Sequence, residues 1–340
     1  MTIASILRRS SLIICAGLAV SAPAAAEELQ WKLNNTFALP RTETKLLHLY
    51  ADEVNKRTAG KLKVTVYDGG SLGLKDQDIL RWLPAGGADI GVLSASFVGR
   101  DAPELNAVYI QGSISSAAEH QKALPALEAI YTEAVKKWEI TPVAFMRFPV
   151  FNTSIFCRDK KINSLAELKG KKLRVWSKDL VETFSALGVA AQIIGQNEMY
   201  VAMQTGVVDC ALYPDRLAPT VSLQEVVKYG AYLFPVAAMP YVVGVSTKKW
   251  QALPKDVQES ILAAGKALYD ESKKYEQDAA AEEAAKAKMQ SAGVTFLDAY
   301  SDADRKAFVA AATTTWAALA KDAGPTAVEY RGRVLKALGR

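Results

Sequence analysis

The chain has 340 residues, half of them hydrophobic, and a formal net charge of +5. This length supports a large core and exceeds what one compact domain usually holds. The charge is mild, and Lys and Arg do not cluster with interleaved aromatic residues, so the sequence argues against nucleic-acid binding.

The first 26 residues have the pattern of a secretory signal peptide. Arg8 and Arg9 precede the apolar run "SLIICAGLAV", and small residues then offer a cleavage site near Ala26. The apolar run is too short to span a bilayer comfortably. We therefore expect an exported protein that begins near Glu27, and loss of the two arginines leaves a formal charge of +3. A retained N-terminal anchor is the alternative.

Strands and helices alternate in the first half of the chain. A helix starts after Pro40, carries apolar residues at helical spacing and ends at Gly60. The predicted strands are 29–35, 61–67, 88–95, 142–148 and 151–157, and the predicted helices are 42–58, 75–83 and 117–138.

The second half repeats this alternation. The predicted strands are 172–176, 189–194, 207–213, 230–236 and 240–246, and the predicted helices are 179–187, 196–204 and 254–290, with two more at the C-terminus. Residues 276–290 are rich in Ala, Glu and Lys, which form helices well but give little apolar face. Such a helix would lie on a surface or brace two lobes.

This order predicts an α/β fold with mostly parallel sheets in two lobes. No Ser/Gly/Pro-rich linker separates the two halves, so we expect strand-like crossings between the lobes. After export, Cys157 and Cys210 remain. An oxidising compartment permits a disulfide, but sequence spacing cannot place the two sulfurs together, and two small buried side chains are the favoured interpretation.

Sequence patterns for catalysis are sparse. His48 is expected to pack against its helix, and His120 is expected in solvent; neither has metal-ligand spacing, and no cofactor motif is present. "GGSLG", with Ser71 between a strand and a helix, fits a nucleophile elbow, and Asp101 and His120 follow in order. An exported serine hydrolase is thus one hypothesis. The competing interpretation is a turn whose glycines permit positive φ.

Ligand-binding features are stronger. Arg174 and Trp176 lie two apart on a predicted strand, so they share a face near its carboxyl end, and Tyr213 ends another strand. Phe37 and Phe97 follow strands of the other lobe. An arginine fork binds a carboxylate bidentately, and aromatic walls cover an apolar ligand body.

Structural roles remain possible for all of these residues. Arg174 could pair with an internal acid such as Asp209 or Glu198, and the aromatic residues could be ordinary core.

Three stretches resemble one known family. They are "TAGKLKVTVYDGGSLG", "INSLAELKGKKLRVW" and "NEMYVAMQTGVVDCAL", and they are similar to the DctP-type solute-binding subunits of tripartite ATP-independent periplasmic (TRAP) transporters. The resemblance extends from about residue 30 to residue 265. It implies a type II-like, two-lobe periplasmic binding protein with a hinged cleft and a long bracing helix. The expected division is 27–150 plus 239–278 in lobe I, and 151–238 plus 279–340 in lobe II.

The resemblance also implies a function. Arg174 would bind the carboxylate of a small organic acid, which passes to TRAP membrane subunits without ATP, and the receptor is expected to be a periplasmic, non-enzymatic monomer without metal or cofactor. A receptor for an ATP-driven importer or a sensor kinase is the other non-catalytic alternative.

Two positions depart from the family pattern. Ser154 stands where many members carry a second arginine, so Arg147 is the nearest candidate for that role, and Tyr213 replaces an asparagine. These changes favour a smaller or more apolar monocarboxylate over sugar acids and dicarboxylates.

Overall fold

The computed structural model describes residues 28–147, 149–237, 239–275 and 279–340, so the predicted signal peptide lies outside the described residues. The strands are Leu29–Asn34 (β1), Leu62–Tyr67 (β2), Ile90–Leu93 (β3), Ile140–Met146 (β4), Val150–Cys157 (β5), Lys172–Val175 (β6), Ala190–Ile193 (β7), Cys210–Pro214 (β8), Tyr229–Ala237 (β9), Tyr241–Ser246 (β10) and Thr295–Phe296 (β11).

The helices are Thr42–Arg57 (α1), Ile79–Trp82 (α2), Pro103–Asn106 (α3), Ala117–Ala134 (α4), Leu165–Leu168 (α5), Lys178–Ala186 (α6), Gln196–Thr205 (α7), Thr247–Ala252 (α8), Lys255–Ser272 (α9), Ala279–Ser291 (α10), Asp302–Asp322 (α11) and Pro325–Leu338 (α12). None of the described helices combines the length and apolar composition needed to cross a bilayer.

The strands form two separate sheets, each the centre of a lobe. The first lobe has the order β2-β1-β3-β10-β4, and the second has β11-β9-β5-β8-β6-β7. Each sheet contains both parallel and antiparallel pairs, and every antiparallel pair includes β5 or β10. These two strands enter a sheet directly from the other lobe, so they do not follow the helical crossover that makes neighbouring strands parallel. The sheets are therefore more mixed than predicted.

The chain passes between the lobes at two crossings. The first lies between Met146 and Val150, and the second lies between Ala237 and Tyr241; residues 148 and 238 are not described. The strands on either side pair in register, with Val150 opposite Ala237 and Tyr241 opposite Met146. This arrangement places two paired strand ends at the junction of the lobes.

The segment from 255 to 291 contacts both lobes. Helix α9 packs on α1 and β4 of the first lobe, and α10 packs on the 3₁₀ turn Asp215–Val221 of the second. A single helix over 254–290 is predicted, but α9 gives way to a 3₁₀ turn at Lys273–Tyr275, and residues 276–278 lie outside the described part. The segment thus touches each lobe with a different helix.

The C-terminal helices also join the two lobes. Phe308 of α11 packs on Phe184 and Phe234 of the second lobe, with ring centroids 5.4 and 5.2 Å apart. Further along α11, the indole Nε1 of Trp316 donates to the carbonyl of Ala107 at 2.7 Å, and α12 then packs on α4 of the first lobe. The predicted division assigns 279–340 to lobe II, and α12 departs from it; the remaining boundaries stay predictions.

The exposure of the two histidines is the reverse of the prediction. His48 is exposed, with Nε2 2.8 Å from the carboxylate of Asp68, whereas His120 is 1% exposed. The end of α12 lies beside the start of α4, where Arg340 donates to Ser113 O and pairs with Glu119. Sequence alone gave no sign that α12 would cover this turn.

Candidate functional site

A cavity of about 640 Å³, here called the cleft, opens between the lobes. Its volume is in the range typical of sites for small organic molecules. Its first-lobe wall includes Thr36, Phe37, Arg41, Asp76, Phe97 and Tyr241. Its second-lobe wall includes Phe151, Arg174, Trp176, Gln196, Tyr213 and Leu217.

Arg174 reaches the cleft from a buried strand. It lies on β6, between Leu173 and Val175, and the side chain of each of these neighbours is fully buried in the apolar core of the second lobe. Because successive side chains of a strand point to opposite faces, Arg174 lies on the other face. Its Nε donates to the carbonyl of Ile194 at 2.9 Å, and Nη1 donates to that of Leu212 at 3.4 Å. These two bonds orient the guanidinium, which is 2% exposed.

No carboxylate pairs with Arg174 among the residues that the structure describes. The two acids considered from the sequence have other partners: Asp209 accepts from the backbone of Lys172 at 2.8 Å, and Glu198 pairs with Lys75 at 3.4 Å. Burial without a counter-ion lowers the pKa of Arg174 to about 10. The side chain remains cationic at neutral pH, and a buried cation without an acid is energetically costly.

Aromatic rings surround this guanidinium. Its central carbon lies 5.6 Å from the ring centroid of Tyr213 and 6.0 Å from that of Trp176. On the facing wall, Phe37 packs edge-on against Tyr241 with centroids 5.1 Å apart, and Phe97 also lines the cleft. Four aromatic residues predicted from the sequence are therefore brought together with Arg174.

A second arginine in the cleft was not predicted. Arg41 precedes α1 and is buried, and its guanidinium forms an ion pair with Glu43. It also donates to the side-chain oxygen of Gln196, which accepts from the Tyr213 hydroxyl at 3.0 Å, so this network joins the lobes. Burial lowers the pKa of Arg41, whereas the Glu43 carboxylate and the nearby tyrosines raise it, and the pKa lies above its ordinary value. The only local sequence signal is the acid two residues later.

Arg147 does not reach the cleft, contrary to the prediction. Its guanidinium lies over the ring of Tyr269, 5.3 Å from the centroid, and donates to Gln121. It is absent from the cavity wall. The residue directly follows β4, and its contacts are with Tyr269 and Ser272 of α9 and Gln121 of α4. Closeness in sequence to the position of the family's second arginine therefore wrongly predicted that Arg147 lines the cleft.

The geometry does not support a hydrolase at Ser71. The turn has the predicted positive φ at Gly69, Gly70 and Gly73, but Ser71 is exposed, and its hydroxyl has no hydrogen bond to a described residue. Asp101 pairs with Arg81 and Arg100 rather than with a histidine. The described residues contain no group of three or more His, Cys, Asp or Glu side chains that could hold a metal ion.

Cys157 and Cys210 form a disulfide, so the interpretation as two separate thiols is wrong. They lie directly opposite each other on the antiparallel strands β5 and β8. This register brings together residues 53 positions apart, which spacing in the sequence could not reveal. The bond fixes the strand that carries Tyr213 to the strand that begins at the crossing.

Comparison with known proteins places this geometry in a family. Residues 35–322 match the family model DctP, described as bacterial extracellular solute-binding protein, family 7. A solute-binding protein of Albidiferax ferrireducens is 26% identical over 65% of each chain. The C4-dicarboxylate-binding periplasmic protein DctP of Rhodobacter capsulatus is 28% identical over 82% of each chain.

Solved structures share the fold. A TRAP periplasmic solute-binding protein of Desulfovibrio salexigens, solved with bound orotic acid, superimposes with a TM-score of 0.81 at 22% identity, covering 92% of this chain and 99% of the other. The predicted two-lobe α/β architecture and the resemblance drawn from the three sequence stretches are confirmed. The chain belongs to the DctP family, family 7 of the bacterial extracellular solute-binding proteins.

Proposed function

We propose that this protein captures a small organic acid between its lobes and that Arg174 binds the carboxylate. The observation that carries the proposal is a buried guanidinium at the cleft without an acid partner among the described residues. Arginine has five N–H donors, and the bonds to Ile194 and Leu212 use two of them. A carboxylate accepts two parallel bonds from such a fork, which fixes its orientation.

The lobes would close on the ligand by a hinge at the two crossings. Contacts already span the cleft, including the Arg41–Gln196 bond and the Lys75–Glu198 ion pair. Because closure withdraws Arg174 from water, an empty closed cleft leaves its charge uncompensated. A carboxylate removes that cost and so shifts the population toward the closed form.

The wall of the cleft favours a compact ligand with an apolar body. The side chains of Phe37, Trp176, Tyr213 and Tyr241 offer ring surface, and the Tyr213 phenol occupies space beside Arg174. One relative is named as a C4-dicarboxylate-binding protein, and a protein of the same fold was solved with bound orotic acid. For this chain the aromatic wall and the pairing of Arg41 with Glu43 favour a monocarboxylate.

The receptor would act in the periplasm after removal of the signal peptide. It would deliver its ligand as a monomer to TRAP membrane subunits for ion-driven uptake, and it would catalyse no reaction. Membership of the family and the TRAP receptors of the same fold support this role.

A thermal-shift screen of small carboxylates, each tested beside its uncharged amide, examines the proposal. A ligand at 100 times its dissociation constant stabilises the native state by about 2.7 kcal/mol. We expect carboxylates to raise the melting temperature and the amides to have no effect, and we expect Arg174→Ala to abolish the shift. Equal shifts from acids and amides, or an unchanged response of Arg174→Ala, would contradict the proposal.

A further inference from the structure

Asp76 presents a second polar group to the cleft. It begins the 3₁₀ turn Asp76–Asp78 in the first lobe, three residues after Gly73, and it lines the same cavity as Arg174. The hydroxyl of Thr36 lies 2.9 Å from Oδ1 and 2.8 Å from Oδ2. Thr36 has one proton to donate, whereas a carboxylate offers about four acceptor positions. Most of the acceptor capacity of Asp76 is therefore unused within the described residues.

Other acids close to the cleft differ from Asp76 because each has a cationic partner. Glu43 pairs with Arg41, Asp78 pairs with Arg100 at 2.5 Å, and Glu198 pairs with Lys75. No ion pair of the described residues includes Asp76. Within the described part of the chain, Asp76 on the first lobe and Arg174 on the second are thus the two charged groups of the cleft without an ion-pair partner.

The charges of the cleft limit what can lie beside Asp76. A second carboxylate of a ligand would meet either the Asp76 carboxylate or a cation that already has an acid partner. Arg41 pairs with Glu43, Lys75 pairs with Glu198, and Arg100 pairs with Asp78 and Asp101. Like charges at close range are unfavourable, and an unpaired acceptor in a dehydrated cleft is costly. A hydrogen-bond donor from the ligand would satisfy the acceptor.

We infer that the ligand carries one carboxylate for Arg174 and, on the part facing the first lobe, a hydrogen-bond donor for Asp76. The donor would be a hydroxyl, an amide N–H or an ammonium group, and dicarboxylates would be excluded. This inference rests on the proposed function, since it assumes that Arg174 binds the carboxylate. The cleft would discriminate against ligands that lack this donor, because such a ligand leaves the Asp76 acceptor unpaired.

Calorimetry with matched probes tests this inference. The probes are benzoate, 3- and 4-hydroxybenzoate, their methyl ethers, isophthalate and terephthalate, together with butyrate, 3- and 4-hydroxybutyrate and succinate. We expect the tightest binder to carry a hydroxyl and to exceed its analogue without the donor by about tenfold or more, the contribution of one hydrogen bond to a charged group. Asp76→Leu should reduce that ratio below about threefold while the donor-free analogue keeps its affinity.

Two further variants serve as controls. Asp76→Asn keeps the side-chain shape and one acceptor oxygen, so we expect it to show an intermediate ratio. It replaces Asp76→Leu in the test if the leucine variant fails to fold. Asp52→Asn removes an exposed charge from α1 and should leave the ratio unchanged.

The outcomes separate the two proposals. A hydroxyl preference that persists in Asp76→Leu, or a dicarboxylate as the tightest binder, would overturn the role of Asp76 while sparing that of Arg174. Absence of binding by every probe would count against carboxylate capture itself, and against both proposals.

Discussion

The two arginines of the cleft have opposite electrostatic surroundings. Arg41, on the first lobe, is balanced by the buried carboxylate of Glu43 and extends across the cleft to Gln196. Arg174, on the second lobe, contacts two backbone carbonyls and two aromatic rings, but no acid among the described residues. Burial lowers the pKa of Arg174, whereas the Glu43 carboxylate raises that of Arg41.

This difference shows that a buried arginine in a cavity is not by itself an anion site. Arg41 has its counter-ion within the protein and serves to position Gln196 and Tyr213. Arg174 has no counter-ion among the residues that the structure describes, so the free energy of bringing an anion to it is more favourable. The counter-ion, rather than burial, distinguishes a structural arginine from a ligand-binding one.

Removing the counter-ion of Arg41 should have the largest effect, a loss of free energy of unfolding. Loss of one partner of a buried ion pair costs about 3–5 kcal/mol, so Glu43→Ala should lower the free energy of unfolding by roughly that amount. Chemical denaturation measures it. Glu53→Ala breaks an exposed pair with Arg57 on the same helix and should cost less than about 1 kcal/mol. Equal losses in the two variants would show that Arg41 does not depend on Glu43.

Arg174→Ala should weaken binding of the carboxylate identified in the screen by about tenfold to several hundredfold, because two charge-assisted bonds are lost. Arg174→Lys should also bind poorly, since an ammonium cannot reproduce the planar fork. Isothermal titration gives both affinities. Arg333→Ala, on α12, removes a surface ion pair with Glu133 and is the control. Unchanged affinity of Arg174→Ala would remove this residue from the site.

Asp76→Asn should stabilise the ligand-free protein at neutral pH. Burial raises the pKa of Asp76 to about 6, so the native state holds a proton that the unfolded chain releases as pH rises from 4 to 6. Wild-type stability therefore falls through that window, and the uncharged variant avoids the loss. We expect an advantage of about 1–3 kcal/mol at pH 7 that vanishes near pH 4. A difference independent of pH would contradict this explanation.

Arg147→Lys should have the smallest effect on binding. The residue packs on Tyr269 outside the cleft, so the dissociation constant should change by less than about twofold, which corresponds to about 0.4 kcal/mol. The same titration measures it. A loss comparable with that of Arg174→Ala would instead restore the second-arginine role predicted from the sequence.

Sequence alone predicted those parts of the site that depend on local geometry. Arg174 lies on β6 and Trp176 directly follows that strand, and both line the cleft, as their spacing of two predicts. Tyr213 lines the cleft because it lies near the end of another strand. Hydrophobic periodicity likewise placed most strands and helices within a few residues of their observed ends. These features follow from strand and helix periods that short stretches of sequence carry.

Features that depend on distant contacts were missed. Arg41 meets Gln196 across 155 positions, and the Cys157–Cys210 bond depends on strand register. The burial of His120 and the packing of α12 on the first lobe depend on where the C-terminal helices return. No local pattern encodes these pairings, because each is fixed only when separate elements assemble.

A crystal structure of the complex with the tightest-binding carboxylate tests the central claim most directly. The proposal predicts carboxylate oxygens about 2.7–2.9 Å from the free nitrogens of the Arg174 guanidinium, with the Arg41–Glu43 pair intact. A carboxylate bound at Arg41 instead, with Arg174 still held only by Ile194 and Leu212, would contradict it.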